Sequence, residues 1–266
     1  MSYKKHFLSI ALSAALVTSC FTTAFAAEST FTDVDPQNSE AIVYMTENKF
    51  ISGIDETKFG VDMPVSRAEA VAVLHRMSGL AEAVSEVSFS DVTEGSDYAK
   101  AVEWASANGI VSGYSDGTFA PDETITKQDL VSLLYRYAVA DDAYVTVGNS
   151  SALGKFTDAD KAADYASEAL IWAADREILT STDGKLNPEK LVTRSELAVL
   201  DYNYIKTLPV TKTVSVASTL RSEAQIPAYV TVPVDYNAEN KYPMVILCHG
   251  HGGNHNEWGG FDVITN

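Results

Sequence analysis

The amino-acid sequence predicts a mainly α-helical protein with three similar helix-turn-helix segments, followed by a short region of β-strands. The three segments open with the same pattern, Phe-x-Asp, at Phe31, Phe89 and Phe156. In each segment a helical stretch, a turn and a second helical stretch follow, and such internal similarity is typical of a repeat protein. One helix pair cannot bury its own apolar face, so we expect the three pairs to share a core.

The second repeat shows the pattern most clearly. Its first helix is predicted to run from near Tyr98 to Asn108, with Val102 and Ala105 at helical spacing. Gly109 follows as a natural C-cap, since glycine accepts the left-handed conformation that ends many helices. In the first repeat the corresponding helix is expected to be two residues shorter.

The second helix of each repeat is predicted to begin with a capping box. The hydroxyl of the N-cap Ser or Thr accepts a hydrogen bond from the backbone N–H three residues later. The carboxylate of the acid at that later position reaches back to the N-cap residue. Because its side chain is short, Asp129 is expected to be the least effective of the three acids at capping its helix. The predicted structural caps are Ser66 with Glu69, Thr126 with Asp129, and Thr193 with Glu196.

Apolar side chains follow each capping box at intervals of three and four residues, which predicts a helix with one buried face. These residues are Val71, Leu74 and Met77 in the first repeat, Leu130, Leu133, Leu134 and Tyr137 in the second, and Leu197, Leu200 and Tyr204 in the third.

The composition excludes several functional classes. The chain has 19 Lys and Arg against 36 Asp and Glu, a formal net charge of -17. This excess of acid argues against a general nucleic-acid binder and against a polybasic membrane-surface protein. The two cysteines, Cys20 and Cys248, cannot form a disulfide framework or a four-ligand zinc site. No Asp-rich loop has the spacing of an EF-hand, so we expect neither a metal nor a cofactor.

The N-terminus predicts export. Lys4 and Lys5 precede an apolar run at residues 7–17, and small residues follow in the cleavage pattern Ala24-Phe25-Ala26. This arrangement is typical of a signal peptide at residues 1–26, cleaved near Ala26, and the run is too short to span a bilayer. The alternative is lipidation at Cys20, because residues 17–20 resemble a lipobox.

The repeat motifs resemble the S-layer homology (SLH) domain. The resemblance rests on Phe-x-Asp, the stretch from Gly109 to Pro121, and the Thr126-Lys127-x-Asp129 type of helix start. It covers the chain from about Ser29 to Thr207, with repeats expected at residues 28–86, 87–150 and 152–210.

This resemblance implies a pseudo-threefold helical unit that anchors an exported protein to the bacterial cell wall without a covalent bond. Grooves between repeats would bind pyruvylated secondary cell-wall polysaccharide, and Arg67, Lys127 and Arg194 would hold the pyruvate carboxylate. Free N–H groups at the helix starts would also favour an anion. Because arginine offers a carboxylate a bidentate fork and lysine does not, we expect the grooves beside Arg67 and Arg194 to bind more tightly than the groove beside Lys127. Alternatively, these three are solvated first-turn residues.

Aromatic residues and glycines supply further candidates. Tyr44, Trp104 and Trp172 occupy matching points late in the first helices, where a ring would either stack on a sugar or belong to the core. Trp104 is therefore a candidate ligand contact. Gly113 is another, because it and Gly53 are expected to mark turns and to let a sugar approach.

Beyond residue 207 the pattern changes to that of strands. Residues 211–218 alternate valine with small and polar residues, and residues 228–232 form a second short candidate. A continuous apolar run, Met244 to Cys248, is typical of a strand covered on both faces. We expect an ordered helical unit and a poorly packed tail after about Thr211, because this strand needs neighbours to cover it.

Residues 211–266 resemble the N-terminal start of an α/β-hydrolase of the esterase or dienelactone-hydrolase type. The motif His249-Gly250-His251-Gly252-Gly253 carries this resemblance, which implies an oxyanion-hole loop with His251 or Gly252 as donor. No G-x-S-x-G motif is found, so this segment is expected to be incomplete and catalytically inactive. The alternative function is the N-terminal part of a cell-surface serine hydrolase whose triad is missing from these residues.

Overall fold

The computed structural model describes residues 30–83, 88–141, 145, 148–181, 183–208, 210–217 and 225–232. The backbone divides into two units, one at residues 10–205 and one that contains residues 206–266. The predicted signal peptide, the run from Met244 to Cys248, and the candidates His251 and Gly252 lie outside the described residues. Among those described, no helix has the length and apolar character needed to cross a membrane.

The helices follow the predicted repeat order. The first helices of the three repeats are α1 (Pro36–Glu47), α3 (Ala99–Ala107) and α5 (Ser167–Asp175), and the second helices are α2 (Arg67–Met77), α4 (Lys127–Ala140) and α6 (Arg194–Thr207). Short 3₁₀ segments at Ser150–Lys155, Ala159–Lys161 and Asp164–Ala166 precede α5.

The first helix of the first repeat differs from expectation. It has 12 residues, whereas α3 and α5 have 9 each, so the prediction of a shorter helix was wrong. Proline at the start of α1 explains the early beginning, because its fixed φ suits the first helical turn and its missing N–H is not needed there. The prediction for α3 is confirmed to within a residue at each end.

A closed ring of three backbone hydrogen bonds joins the repeats. The N–H of Val65 donates to the carbonyl of Val192 at 2.9 Å, Val192 donates to Ile125 at 3.0 Å, and Ile125 donates back to Val65 at 3.0 Å. All three side chains are buried, and each residue comes shortly before the second helix of its repeat. The ring therefore relates the repeats by pseudo-threefold symmetry.

The second helices supply the core. Every apolar residue of the predicted stripes is buried, from Val71 in α2 to Tyr204 in α6. Aromatic rings join the repeats, since the ring centroids of His75 and Trp104 lie 5.0 Å apart and those of Tyr137 and Tyr204 6.0 Å apart. The expectation that three helix pairs share one core is confirmed.

The Phe-x-Asp motif fastens the loop that leads into each second helix. Each aspartate accepts backbone N–H groups from this loop, and in the last two repeats these bonds hold the pKa of Asp91 and Asp158 below the usual value. The donors are Phe59 and Gly60 to Asp33 at 2.8 Å each, Phe119 and Ala120 to Asp91 at 2.7 Å each, and Leu186 and Asn187 to Asp158 at 2.6 and 3.0 Å.

Two antiparallel strands follow the helices. Strand β1 (Val210–Ala217) pairs with β2 (Gln225–Val232), with Val210 opposite Val232 and Ala217 opposite Gln225. Both strands were predicted, although β2 begins three residues earlier than the sequence suggested.

Candidate functional site: three grooves between the repeats

The three basic candidates lie at the first position of α2, α4 and α6, each against the following repeat. A cavity lies beside Arg67 and another beside Lys127, and we name them groove I and groove II. The equivalent place beside Arg194 is named groove III. In grooves I and III the arginine Nε donates to a carbonyl of the neighbouring loop, that of Phe119 at 3.0 Å and that of Phe59 at 3.1 Å.

The backbone N–H groups at these helix starts are engaged within the protein. The first two N–H groups of α2 donate to the carbonyls of Glu123 and Pro121 at 2.8 and 3.0 Å, and the third donates to Ser66 Oγ at 3.1 Å. The expectation of free N–H groups for an anion was therefore wrong. The matching acceptors are Lys190 and Pro188 for α4, and Met63 and Val61 for α6.

The capping boxes are only partly as predicted. The hydroxyls of Ser66, Thr126 and Thr193 accept the expected bonds at 3.1, 3.3 and 3.3 Å. The reciprocal bond forms in the third repeat, where Glu196 accepts the N–H of Thr193 at 3.0 Å. In the first two repeats the carboxylates contact other groups, and these contacts distinguish the grooves.

In groove III the basic side chain already has hydrogen-bond and ion-pair partners within the protein. The guanidinium of Arg194 forms an ion pair with Glu69 and donates to the carbonyls of Ser52 and Phe59. It also lies over the Phe59 ring, 4.9 Å from the centroid. Arg194 is only 8 % exposed, and each of its three guanidinium nitrogens donates to a group of the protein.

In groove II the basic side chain shares a carboxylate with a second lysine. Lys127 Nζ lies 3.8 Å from Glu196, and Lys190 Nζ lies 2.9 Å from the same oxygen. Burial lowers the pKa of Lys127. The groove has a volume of about 150 Å³ and is also lined by Asn38 and Lys185.

Groove I is different because some guanidinium N–H groups of its arginine remain available to a ligand. The Arg67 guanidinium lies between Phe119 and Tyr114, 4.9 and 5.3 Å from the ring centroids, while Nε is bonded to the Phe119 carbonyl. No carboxylate of the described residues forms an ion pair with it. The groove has a volume of about 270 Å³, and Arg136 contributes a second guanidinium to its wall.

The acid of groove I, Asp129, is bonded to groups other than Arg67. One of its oxygens accepts from Thr126 Oγ1 at 2.5 Å, and the other accepts from Tyr165 Oη at 2.5 Å. Burial and this bond raise the pKa of Tyr165 above its usual value, which keeps the phenol a donor.

The structure separates two predicted ligand contacts, Trp104 and Gly113, because only Gly113 lies at a groove. Trp104 is 1 % exposed and packs against His75 with ring centroids 5.0 Å apart, so a role in stacking on a sugar was wrong. Gly113 does line groove I. A β-carbon there would lie 2.3 Å from the Phe89 ring and 2.6 Å from the Thr118 carbonyl, so close packing within the repeat requires the glycine.

Sequence reasoning missed three residues of groove I: Tyr114, Arg136 and Tyr165. Arg136 had a detectable signal, because Arg76 occupies the same position in α2. Tyr165 had none, since it reaches the groove from the third repeat. No cluster of metal-ligating side chains occurs among the described residues.

Comparison with known proteins now identifies the repeats. Residues 30–71, 88–131 and 155–198 each match the S-layer homology domain. The chain contains three S-layer homology domains. Each SLH match begins at or near a Phe-x-Asp motif and ends in a second helix, so the three matches contain Arg67, Lys127 and Arg194.

Relatives of this chain include a surface-layer protein, and they are much longer than the chain itself. The surface-layer 125 kDa protein of Lysinibacillus sphaericus is 28 % identical over 74 % of this chain and 16 % of its own length. The exoglucanase XynX of Acetivibrio thermocellus is 27 % identical over 66 % of this chain and 16 % of its own length. A cellulosome-anchoring protein of the same species is 27 % identical over 33 % and 21 %. The chain thus spans about a fifth or less of these relatives, and its SLH domains support cell-wall anchoring of a surface protein.

Proposed function

We propose that this chain anchors an exported protein to the bacterial cell wall by binding secondary cell-wall polysaccharide without a covalent bond. The observation that carries the proposal is the fixed orientation of the Arg67 guanidinium in groove I. Its Nε bond and two flanking rings fix its plane, and its remaining donors meet no carboxylate of the described residues. The carboxylate of a pyruvate ketal would accept two parallel bonds from such a fork.

The chain's acidity is compatible with an anionic polymer. Although the formal net charge is -17, exposed charges are screened beyond about 8 Å at physiological salt. A ligand in groove I would meet the positive charges of Arg67 and Arg136 at close range, since both line the groove together with Asp129.

Export is part of the same proposal. The basic residues Lys4 and Lys5, the apolar run and the Ala24-Phe25-Ala26 pattern support a signal peptide cleaved near Ala26. The mass of the N-terminal peptide of the cell-surface protein tests this. A chain that begins near residue 27 supports cleavage there, and a lipid-modified Cys20 contradicts it.

Sedimentation with purified wall sacculi tests the anchoring role. The Arg67→Ala variant is expected to lower the bound fraction about tenfold or more, since it removes the fixed charge. Lys100→Ala removes a positive charge from an exposed position in α3 and serves as the matched control. Binding that survives chemical removal of the polysaccharide from the sacculi would contradict the proposal.

A second candidate function concerns residues 211–266, as the start of an α/β-hydrolase domain. Two strands at the expected positions support it, as does the sequence motif that contains His251 and Gly252. Reading the DNA beyond the codon for Asn266 tests it. An in-frame G-x-S-x-G with ester hydrolysis by the product would support it, and a reading frame without this motif would contradict it.

A further inference from the structure

The acid that ends each capping motif faces the basic residue of the repeat before it, and the three pairs are not alike. Glu69 pairs with Arg194, and Glu196 lies 3.8 Å from Lys127. The third acid, Asp129, belongs to the groove of Arg67 but makes no ion pair with it. The chain therefore contains two closed pairs and one open pair at equivalent places.

In groove III the protein already supplies what a ligand would bring. Glu69 occupies Nη1 of Arg194, and the Ser52 carbonyl occupies Nη2. A carboxylate ligand needs this same edge of the guanidinium for two parallel bonds. To bind there, it would first have to displace an acid that is part of the chain.

Groove II is closed in a related way. Glu196 is held by Lys190 at 2.9 Å and by the backbone of Thr193 at 3.0 Å, which fixes it beside Lys127. The lysine is a point charge without the planar fork of arginine, so it offers an incoming carboxylate less than Arg67 does.

Groove I stays open for two reasons. Asp129 is one methylene shorter than the glutamates, and both of its oxygens are already taken, by Thr126 and by Tyr165. The Arg67 guanidinium is nevertheless fixed by Phe119 and Tyr114. A ligand carboxylate can bind this arginine without breaking a protein ion pair.

We propose that Glu69 and Glu196 act as built-in ligands that close grooves III and II, so that groove I alone takes a carboxylate-bearing sugar. The length of the acid at this position then sets which grooves are open. This inference rests on the proposed function and goes beyond it, because it assigns binding to one groove and names Asp129 as the residue that permits it.

The physical basis is competition within one molecule. A tethered carboxylate acts at an effective concentration in the millimolar range or above. A free monovalent sugar of modest affinity would be outcompeted at Arg194, whereas no carboxylate of the described residues pairs with Arg67. The sequence predicts that the grooves beside Arg67 and Arg194 bind more tightly than the groove beside Lys127, and the single open groove differs from that prediction at Arg194.

Titration calorimetry tests the inference with exchanged side-chain lengths. The probe is a methyl hexoside that carries a pyruvate ketal, and its uncharged methyl ester is the ligand control. The wild-type chain is expected to bind one probe. Asp129→Glu should weaken that site about tenfold or more, because a glutamate here would pair with Arg67 as Glu69 pairs with Arg194. Glu69→Asp should create a second site at Arg194.

A matched variant and a folding check accompany these measurements. Glu47→Asp makes the same shortening at an exposed position at the end of α1 and should leave one site. Circular dichroism and thermal unfolding establish that each variant is folded. If Glu69→Asp does not fold, Asp129→Glu still decides the question through its effect on the existing site.

The outcomes separate this inference from the proposed function. Two or three probes bound per wild-type chain, or unchanged affinity in Asp129→Glu, would overturn the single open groove while leaving wall anchoring intact. A wild-type chain that binds neither the probe nor the sacculi would overturn the proposed function. One site in wild type that weakens in Asp129→Glu supports both.

Discussion

Asp201 in α6 occupies the helix position that Leu134 occupies in α4, and both side chains are completely buried. Leu74 holds the same position in α2 and is also buried. Neither oxygen of Asp201 has a hydrogen-bond partner among the described residues. The core thus places an unpartnered carboxyl where the other repeats place leucine, and burial raises the pKa of Asp201 to about 8.

This pKa predicts that the free energy of unfolding falls as the pH rises between about 4 and 8. In that window the unfolded chain ionises Asp201, whereas the folded chain keeps it protonated. The loss is roughly 1.4 kcal/mol for each pH unit. Asp201→Asn cannot ionise, so it should remove this part of the slope and be more stable than wild type near neutral pH.

Urea unfolding of wild type and Asp201→Asn at several pH values across this window measures the difference. Tyr137 and Tyr204 face the carboxyl, but burial raises the pKa of each phenol, so neither titrates in this range. Parallel slopes for the two proteins would contradict the prediction.

The Phe-x-Asp aspartates predict the opposite dependence in acid. The Asp91 carboxylate accepts two N–H groups, and its lowered pKa means that it stabilises the fold above the unfolded value near 4. This stability is lost as the pH falls through the folded pKa. Asp91→Asn should therefore lower the melting temperature at neutral pH and reduce the sensitivity to acid.

Asp97 is an exposed aspartate nearby, and Asp97→Asn is the matched control for the loss of one negative charge. Thermal unfolding followed by circular dichroism at neutral and acidic pH compares the three proteins. If Asp91→Asn melts at the wild-type temperature, the fastening role of Phe-x-Asp is excluded.

The elements that the sequence predicted correctly depend on neighbouring residues. The N-cap hydroxyl of Ser66 and its partner Glu69 are three residues apart, and the stripe of α4 lies within one helix. The pairs that make the grooves differ are distant in the sequence: Arg194 contacts Glu69 across 125 residues, and Tyr165 contacts Asp129 across 36. Such pairs depend on how the repeats pack, which no local pattern encodes.

The burial of Trp104 gives the same lesson. A tryptophan late in a short helix fits either a sugar platform or a core, and the choice depends on which helix face meets the next repeat. The contacts with His75 and Tyr137 place it in the core.

Gly113 provides a packing prediction. A β-carbon at this position would meet the Phe89 ring and the Thr118 carbonyl at distances that real β-carbons do not show, so Gly113→Ala should destabilise the fold by about 1–3 kcal/mol. Gly154→Ala is the control, because no atom lies within 4 Å of the place its added methyl group would take. Equal melting temperatures for these two variants would contradict a packing role for Gly113.

The residues that follow the first helices predict where the protein can be stabilised. Gly109, Lys49 and Glu177 come directly after the C-cap residues of α3, α1 and α5, and their φ angles are 70°, 61° and 57°. The left-handed conformation costs an ordinary residue about 1–2 kcal/mol. Lys49 and Glu177 are exposed, so a change to glycine loses no buried contact.

Lys49→Gly and Glu177→Gly should therefore each raise the free energy of unfolding by about 1 kcal/mol, and Gly109→Ala should lower it by a similar amount. No atom lies within 4 Å of a β-carbon at Gly109, so the stability lost in Gly109→Ala would reflect the φ angle alone. Lys100→Gly, inside α3, is the contrasting control and should cost about 1 kcal/mol. Urea unfolding of the four variants tests this, and destabilisation by Lys49→Gly and Glu177→Gly would show that φ does not limit stability at these helix ends.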